Sequence, residues 1–368
     1  MSAITPSTMQ LNRLKWETTT EYNTGLDASF LKGKLRFTVD VYQKYIKDLL
    51  QKKVKMPTSI GYGNGYEVSY MNSGKMTNKG WEFRVDAVPF ENRDWRVGFY
   101  FNIAHNENKI TEMPDNYTEE NYTFNNGEYA YRREEGRPMG SFYGYRYKGV
   151  CQNKDATYAR DADGNVMKDI SGNAIVMRNG TATIAPGDAL YEDINHDGVI
   201  NQYDIVYLGN SNPRFTGGAG VNVSYKQFKL SAIFYGRYGQ DVVNSTRLNN
   251  ESMRGIDNQS TAVLRRWRNE GDQTDIPRAL YGEGYNTLGS DRFVEDASYL
   301  RLKSLSFNYR LPKKIIQRWG FSNIDVYVTG YNLFTWTKYT GQDPEVKTES
   351  TYAVSYTHLR AHETSLHL

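Results

Sequence analysis

Alternation of apolar and polar residues is the feature that most limits the folds open to this chain. In "KLRFTVDVYQ", single polar residues separate Leu35, Phe37 and Val39, and "GWEFRVDAVPF" and "DWRVGFYFNIAH" repeat the pattern. Side chains of a β-strand point alternately to its two faces, so a period of two predicts strands with one apolar face. The chain is therefore predicted to be all-β.

The connections between the predicted strands alternate between short and long. Eight main strands are predicted at about 16–30, 35–48, 80–90, 94–104, 217–225, 228–237, 298–311 and 323–335. The long links fill 49–79, 105–216 and 238–297. If consecutive strands pair antiparallel, all long links lie at one end of the sheet, as in outer-membrane barrels with long extracellular loops. The predicted fold is an antiparallel up-and-down transmembrane β-barrel segment.

Composition agrees with such a barrel and disfavours other classes. The 368 residues carry a formal net charge of +3, which gives no reason to expect nucleic acid as a partner. Mean hydropathy is −0.71, and no run of 18 apolar residues occurs, which argues against a helical membrane span. The 30 tyrosines suit surfaces that are apolar on one side and wet on the other.

A soluble β-sandwich would show the same alternation and is the alternative fold. Three observations favour the barrel. The strands reach roughly ten residues or more, as tilted spanning strands must. Aromatic residues lie near predicted strand ends, as at Trp81, Trp95 and Tyr225, where interfacial girdles occur. The opposite faces carry Arg, Asp and Glu, which suit a water-filled lumen.

One further strand-like stretch, "SFYGYRYKGV" at 141–150, lies inside the longest link. Counting it as a spanning strand would invert every later strand, so we assign it to an extracellular excursion. No long helix is predicted. The segments "TAVLRRWRNEGD" and "PKKIIQRWG" are each expected to form at most a turn or two.

The stretch "DINHDGVINQYD", residues 193–204, follows the calcium-loop pattern D-x-[DN]-x-[DN]-G. This spacing lets alternate oxygens converge on one ion, while Gly198 permits a sharp turn and Ile200 anchors the loop. A structural Ca²⁺ ion is the predicted cofactor. The predicted metal ligands are Asp193, Asn195, Asp197, Val199 through its carbonyl, Asn201 and Asp204.

Two readings of this loop stay open. Asp204 is shorter than the usual Glu, so it would reach the ion with one oxygen, or through another backbone path as in dockerin-type loops. Without metal, the same side chains would form turns by bonding the local backbone. The related stretch "RDADGNV" offers only Asp161, Asp163 and Gly164, and we predict a plain turn there.

No catalytic constellation is found, and the chain is not predicted to be an enzyme. Cys151 has no neighbouring histidine and is expected to be an incidental loop cysteine. His105 and His196 are expected to be surface residues, and Glu134–Glu135 lack a nucleophile at useful spacing. The segments "GEYAYRRE", "SFYGYRYKG" and "ALYGEGYN" could stack on sugar rings or simply pack, and no substrate-binding residue is specified.

Several segments together resemble one known family. They are "NKGWEFRVDAVPF", "DINHDGVIN…GNSNPRFTGGAGVNVSYK", "YLRLKSLSFNYRLPKKIIQRWGFSNIDVYV" and "NIDVYVTGYNLFTWTKYTGQDPEV", in this order. They resemble the SusC/RagA-like TonB-dependent outer-membrane receptors of Bacteroidetes. The resemblance covers nearly all of residues 3–353.

The resemblance implies a 22-stranded barrel with an N-terminal plug in its lumen. Residues 1–353 would then be the C-terminal part of that barrel, without the plug, and 105–216 would be its long extracellular loop. The last residues change character, because three of the five histidines fall in the final 11 positions. We therefore expect 354–368 to be a non-native tail. An incomplete barrel leaves unpaired edges that lipid does not tolerate, so the fragment alone is not expected to transport.

The implied function is TonB-energised import of a nutrient across the outer membrane of a Gram-negative cell. The nutrient would be an oligosaccharide, or in some members a peptide. The implied partners are a SusD-like surface lipoprotein, outer-membrane lipid, and the TonB complex through the absent N-terminal part. The alternative is a soluble or surface-attached β-rich binding module with a dockerin-like calcium loop.

Overall fold

The chain folds almost entirely into strands and connecting loops. The computed structural model describes residues 14–55, 67–72, 74–113, 124–130 and 132–345. The predicted tail at 354–368 lies outside the described residues. In chain order the strands are β1 (Thr18–Phe30), β2 (Leu35–Lys47), β3 (Leu50–Lys55), β4 (Glu67–Asn72), β5 (Lys75–Glu91), β6 (Trp95–Glu112), β7 (Ser141–Gly144), β8 (Tyr147–Val150), β9 (Arg178–Asn179), β10 (Ala182–Thr183), β11 (Ala189–Tyr191), β12 (Val199–Ile200), β13 (Val206–Asn210), β14 (Phe215–Tyr225), β15 (Phe228–Tyr238), β16 (Asp241–Val243), β17 (Val294–Asp296), β18 (Tyr299–Arg310) and β19 (Asp325–Thr337).

Eight of these strands form one antiparallel sheet in the order β1-β2-β5-β6-β14-β15-β18-β19. Each strand pairs with the next long strand along the chain, so the predicted up-and-down order is confirmed. The predicted bounds of β5 and β6 were too short, since these strands begin at Lys75 and end at Glu112. Their added residues are mostly polar on both faces, so the alternation that marks the other strands is missing there.

The links fall at the two ends of the strands, as the sequence predicts, and we call these two rims of the sheet its edges. The short links 31–34, 92–94, 226–227 and 311–324 lie at one edge. The long links 48–74, 113–214 and 239–298 lie at the other, which we call the long-link edge. The sheet is not closed, and within the described residues no strand pairs with the outer side of β1 or β19.

The strand register separates an apolar face from a polar one. On the apolar face Trp95 lies opposite Tyr225 with ring centroids 4.3 Å apart, near the short-link edge. Toward the long-link edge, the rings of Trp81 and Phe215 lie 6.2 Å apart. Between these aromatic positions stand aliphatic side chains that are partly exposed, such as Val221 at 40%. The predicted alternation of faces is confirmed.

Helices are few and short. The α-helices are α1 (Ser245–Asn250) and α2 (Lys313–Ile316), and the 3-10 turns are Leu31–Gly33, Asp155–Thr157, Gln202–Asp204, Thr261–Arg265, Asp291–Phe293 and Gln317–Trp319. The segment "TAVLRRWRNEGD" thus forms one 3-10 turn, and "PKKIIQRWG" forms α2 followed by a 3-10 turn, as predicted, whereas α1 was not anticipated. No helix in the described part of the chain is long and apolar enough to cross a membrane.

On the polar face, the side chain of Tyr42 on β2 passes over Gly80 on β5 and reaches β6. Tyr42, Gly80 and Asn106 lie side by side on β2, β5 and β6, and the Tyr42 hydroxyl donates to Asn106 Oδ1 at 3.0 Å. A Cβ added at Gly80 would lie 2.3 Å from the His105 carbonyl oxygen and 2.6 Å from the Tyr42 hydroxyl. Glycine is therefore required at this position by close approach.

We predict that Gly80→Ala destabilises the sheet by about 1–3 kcal/mol, because the methyl group forces either the β6 backbone or the Tyr42 ring to move. Gly98→Ala, also on the polar face, is the matched control, since its nearest neighbour would lie 3.8 Å away. The midpoint of urea unfolding, followed by tryptophan fluorescence, measures both. Equal midpoints for the two variants would show that Gly80 is not under this constraint.

Candidate functional site

The long links 113–214 and 239–298 fold into a body of their own at the long-link edge, which we call the loop body. In it β7 pairs with β13, and β8 pairs with β11, outside the main sheet. The segment "SFYGYRYKGV" is therefore an excursion and not a ninth strand of the sheet, as predicted. The buried core of the body comprises Ala130, Tyr143, Tyr145, Ala159, Met177, Ile184, Ala189, Tyr191, Ile200, Ile205 and Leu288.

Backbone and side-chain hydrogen bonds join the two long links. Tyr145 N donates to Gly289 O at 2.9 Å, and the Tyr129 hydroxyl donates to Ser290 O at 2.8 Å. Leu288 N donates to the Tyr191 hydroxyl at 3.1 Å. Residues about a hundred or more positions apart in sequence therefore form one packed unit.

An ion pair across the two links strengthens this junction. Arg278 donates through Nε and Nη2 to the two carboxylate oxygens of Asp188, at 2.7 and 3.1 Å. Asp188 is only 5% exposed and also accepts from Ala185 N at 2.8 Å and from Asn286 Nδ2 at 3.3 Å. The hydrogen bond to Asp188 raises the pKa of Arg278. Such a bidentate pair fixes both geometry and charge.

The predicted calcium ligands lie on one turn of the loop body, and the first three face each other at its tip. Asp193 Oδ2 accepts from Gly198 N at 2.7 Å, and its Oδ1 accepts from Asp197 N at 3.3 Å. Asp197 Oδ1 accepts from Val199 N at 2.7 Å, and its Oδ2 accepts from Asn195 Nδ2 at 2.9 Å. The carboxylates thus hold the loop in shape through local hydrogen bonds.

The Asp204 side chain joins the two ends of the 193–204 loop by hydrogen bonds to its backbone. Its Oδ1 accepts from Ile194 N, and its Oδ2 accepts from Asn201 N, both at 2.8 Å. The carboxylate is fully buried, and burial raises its pKa, with repulsion from Asp193 and Asp197 acting in the same direction. The Asp193 and Asp197 carboxylates therefore lie near enough to Asp204 to disfavour its charged form.

Hydrophobic anchoring of the loop follows the sequence prediction. Ile200 has no exposed surface and belongs to the core of the loop body. Gly198 has φ +81°, and a Cβ there would lie 3.0 Å from Ala159 Cβ. His196, also at positive φ, is exposed as predicted, and its Nδ1 lies 3.2 Å from Arg160 O.

Oxygen donors on a loop of this charge match the chemistry of Ca²⁺, which prefers carboxylate, amide and carbonyl oxygens. Among the described residues, no three His, Cys, Asp or Glu side chains are already grouped as a metal site. The Val199 carbonyl accepts from Asn201 Nδ2 at 2.9 Å. Asn201 Oδ1 accepts from Tyr203 N at 2.9 Å, so this oxygen would have to share or release that bond to bind a metal ion. The set of ligands remains a prediction.

The second acidic stretch is a plain turn, as predicted. Asp161 Oδ1 accepts from Asp163 N and Asn165 N at 3.0 and 2.8 Å, and Gly164 N bonds back to Asp161 O. Nearby Cys151 is buried, and burial raises the pKa of its thiol to about 11. The thiol is therefore protonated at neutral pH, and a thiolate nucleophile is not formed there.

Several loop tyrosines serve packing. Tyr129, Tyr143 and Tyr145 are between 0% and 8% exposed, which confirms the packing interpretation for "GEYAYRRE" and "SFYGYRYKG" at these positions. Tyr131 lies outside the described residues. In "ALYGEGYN", Tyr281 is 76% exposed and Tyr285 is half-buried. His105, expected to be a surface residue, is partly exposed; it lies within β6, and its Nδ1 is 2.6 Å from Arg214 O.

Sequence reasoning missed a charged network that ties the segment after β19 to the sheet. Arg301 on β18 is 5% exposed and donates to Glu345 at 2.8 Å, and Lys303 reaches the same carboxylate at 2.8 Å. Gln240 Nε2 donates to Pro344 O at 3.2 Å. The motif "TGQDPEV" was a visible signal, but its partners lie about 40 to 100 residues earlier in the chain.

Comparison with known proteins gives one consistent result. A profile of the family described as "TonB dependent receptor-like, beta-barrel" matches residues 3–333. TonB-dependent receptor P3 of Formosa agariphila is 32% identical over 344 residues, which cover 91% of this chain and 31% of that protein. TonB-dependent receptor SusC of Bacteroides thetaiotaomicron is 27% identical over 344 residues, covering 91% and 30%.

A solved structure gives the same match in three dimensions. The structure titled "Structure of the RagAB peptide transporter" superposes with a TM-score of 0.64 at 27% identity, covering 89% of this chain and 33% of that one. The chain thus spans about a third of the length of the proteins it matches.

We predict that Arg278→Ala destabilises the loop body by about 1–3 kcal/mol, because the buried Asp188 carboxylate then loses its charged partner. Arg160→Ala is the control, since it removes an exposed ion pair with Asp155 and should cost under about 1 kcal/mol. Limited proteolysis under native conditions measures both, and the cuts should fall within 124–210 and 239–298. Equal protease resistance in the two variants would contradict a structural role for the Asp188–Arg278 pair.

Proposed function

Because the chain belongs to the TonB dependent receptor-like β-barrel family, we propose that its eight-stranded sheet is a wall of an outer-membrane nutrient importer of the SusC/RagA type. The observation that carries the proposal is the sheet itself. It has one exposed apolar face, one polar face and a folded loop body along a single edge. A membrane barrel needs these three features, whereas a soluble binding module has no use for the exposed apolar face.

The dimensions of the strands support a place in the membrane. β14 and β15 have 11 residues each, close to the 9–11 residues that a tilted strand needs to cross a bilayer. Aromatic pairs near both ends of these strands would sit at the two lipid–water interfaces. β5 and β6, with 17 and 18 residues, would extend beyond the membrane and carry the loop body on the outside.

Import is proposed for the whole receptor, because this chain spans about a third of its relatives. In the whole receptor the outer sides of β1 and β19 would pair with further strands to complete the barrel. TonB would supply the energy, and a SusD-like surface lipoprotein would cover the loop body. No covalent chemistry on the substrate is proposed.

We propose an oligosaccharide as the imported nutrient. A peptide is the second candidate, since a matched structure is described as a peptide transporter. The exposed Tyr281 and the half-buried Tyr285 of "ALYGEGYN" suit the apolar faces of sugar rings.

We predict that deletion of the gene for the whole receptor abolishes uptake of labelled oligosaccharides too large for general porins. Uptake of monosaccharides, which need no dedicated receptor, should be unchanged. Uptake should return with the wild-type gene and fail again when TonB is removed. Unchanged oligosaccharide uptake combined with loss of peptide uptake would replace the glycan with a peptide. A receptor recovered in the soluble fraction without detergent would contradict the membrane role.

We also propose that the 193–204 loop binds one structural Ca²⁺ ion through Asp193, Asn195, Asp197, Val199 O, Asn201 and Asp204. Asp193 and Asp197 lie near the buried Asp204 carboxylate, and a divalent cation bound between them would offset the repulsion. Ile200 also anchors this loop in the hydrophobic core of the loop body. Extracellular calcium modules bind with dissociation constants of roughly 10⁻⁴–10⁻³ M, so modest affinity would suffice on the cell surface.

We predict that the purified whole receptor retains about one equivalent of calcium at roughly millimolar free calcium, and that Asp197→Ala loses it. Asp163→Ala is the matched control, because Asp163 lies in the similar but plain turn at 160–166. Equilibrium dialysis with radioactive calcium measures the bound ion, and protease resistance of the loop measures its ordering. Wild-type protein without bound calcium, or an Asp197→Ala variant that keeps its calcium, would contradict the proposal.

A further inference from the structure

A row of aromatic rings crosses the apolar face of the sheet near the long-link edge, and we call it the aromatic row. Its members lie side by side in register on β5, β6, β14 and β15, and they are Trp81, His105, Phe215 and Tyr238. The centroids of adjacent rings in the row are 6.1, 5.1 and 6.5 Å apart. In a membrane barrel such a row marks the boundary between hydrocarbon and lipid headgroups.

Beyond the aromatic row, β2, β5 and β6 continue and the two faces of the sheet change character. Side chains that continue the polar face are buried there, among them Met76, which packs with Met139 of the loop body. Asn78 and Asn108 bond to each other on the same face. The side chains that continue the apolar face are charged and exposed instead. A charged outward surface therefore begins where the apolar one ends.

Four lysines dominate this outward surface. We call them the basic patch, and they are Lys47, Lys75, Lys79 and Lys109. Lys79 pairs with Glu107 at 2.8 Å, and Lys75 pairs with Glu112. Lys47 and Lys109 are exposed and form no hydrogen bond or ion pair with a residue that the structure describes. Four lysines against two glutamates leave the surface with a net positive charge.

The strand register brings these lysines close to one another. Lys47 lies directly opposite Lys75, and like charges in this position destabilise a sheet. Thr77 lies opposite Lys109, which makes Lys79 and Lys109 diagonal neighbours at roughly 7–8 Å. Cations at this spacing repel one another, and an anion bound between them would offset the repulsion.

The lysines nearest the aromatic row lie at the height of lipid headgroups. Lys79 is two residues beyond Trp81 and Lys109 is four beyond His105, which places them about 7 and 13 Å further along their strands. A strand tilt of about 45° reduces these distances to heights of about 5 and 9 Å. The headgroup layer on each side of a bilayer is about 5–8 Å thick. Lys79 thus lies within this layer and Lys109 at its outer limit, within reach of its flexible stem.

Position and charge together select the ligand. Phosphates are the anions of the headgroup layer, and a lysine ammonium binds phosphate through its charge and three donors. Basic clusters beside a membrane span attract anionic headgroups for the same reason. An acidic protein would have to displace lipid to reach this height on the outward face.

We propose that the basic patch binds the phosphate groups of an anionic lipid in the outer leaflet. The proposal rests on the proposed function, because it assumes that the apolar face of the sheet lies in lipid. It gives the extended ends of β5 and β6 a second role besides carrying the loop body. Bound phosphates would offset the repulsion among the lysines and fix the height of the sheet in the membrane.

The test uses the whole receptor in detergent and native mass spectrometry, which counts bound lipid molecules. The probes are diphosphoryl lipid A and the same lipid after removal of both phosphates. Wild-type receptor should bind the phosphorylated lipid roughly tenfold or more tightly than the other, and the double variant Lys79→Gln, Lys109→Gln should lose most of this preference. The double variant Lys79→Arg, Lys109→Arg keeps both charges and should keep the preference.

The matched control is the double variant Lys148→Gln, Lys168→Gln in the loop body. Lys148 is 52% exposed and paired with Glu192, as Lys79 is 62% exposed and paired with Glu107. Lys168, like Lys109, is exposed and pairs with no described residue. The control removes the same charge and should leave the preference unchanged. Heat-modifiable migration in gel electrophoresis checks that every variant is folded.

Equal binding of the two lipids by wild-type receptor overturns the proposal. So does a Lys79, Lys109 variant that keeps the preference shown by its control. If that variant binds phosphorylated lipid normally but loses its partner lipoprotein on purification, the patch serves a protein and the proposal is wrong. Detergent dependence separates this proposal from the function it rests on. A receptor that needs detergent but shows no phosphate preference overturns the lipid site alone, whereas a receptor soluble without detergent overturns both.

Discussion

Backbone pairing between consecutive strands is the constraint on which the rest of this structure depends. Each of the eight strands of the sheet pairs only with the strands of this sheet that come before and after it in the chain. The register of each pair is therefore set by the connecting link and by the need to keep apolar side chains on one face. A shift of one residue would carry Trp95 and Val221 to the polar face and Arg84 to the apolar one. The same antiparallel order places every long link on one edge. The loop body can therefore form only there.

Backbone hydrogen bonds, ion pairs and one apolar cluster attach the loop body to the sheet. On one side the extended end of β6 pairs with the body, where Ile110 N donates to Arg137 O at 2.9 Å and Gly136 N donates to Ile110 O at 2.8 Å. On the other side Arg301 and its carboxylate partner Glu345 hold the segment after β19. An apolar contact adds to these bonds, because Met139 of the loop body packs against the buried cluster of Ile46, Leu49 and Met76.

The sequence was sufficient for features that depend on local pattern. The eight strands follow from period-two alternation, and the burial of Ile200 follows from its position in the 193–204 loop. The ends of β5 and β6 were missed because residues such as Asn78 and Asn108, which bond to each other at 2.6 Å, carry no apolar signal. The Asp188–Arg278 pair was missed for another reason. Its members are 90 residues apart, and only the folded links bring them together.

Backbone pairing ties the 193–204 loop to the rest of the loop body. β12, at the end of the 193–204 loop, pairs in parallel with β9, and Ile200 lies opposite Asn179. Gly180 N donates to Ile200 O at 2.9 Å, and Arg178 N donates to Gly198 O at 3.0 Å. The 193–204 loop therefore supports the backbone that carries Asn179, whose Nδ2 donates to Ala189 O at 3.3 Å. The Asp188–Arg278 pair joins the same part of the body to the second long link. The fold of the loop body thus depends on local order in both long links, and neither link can provide it alone.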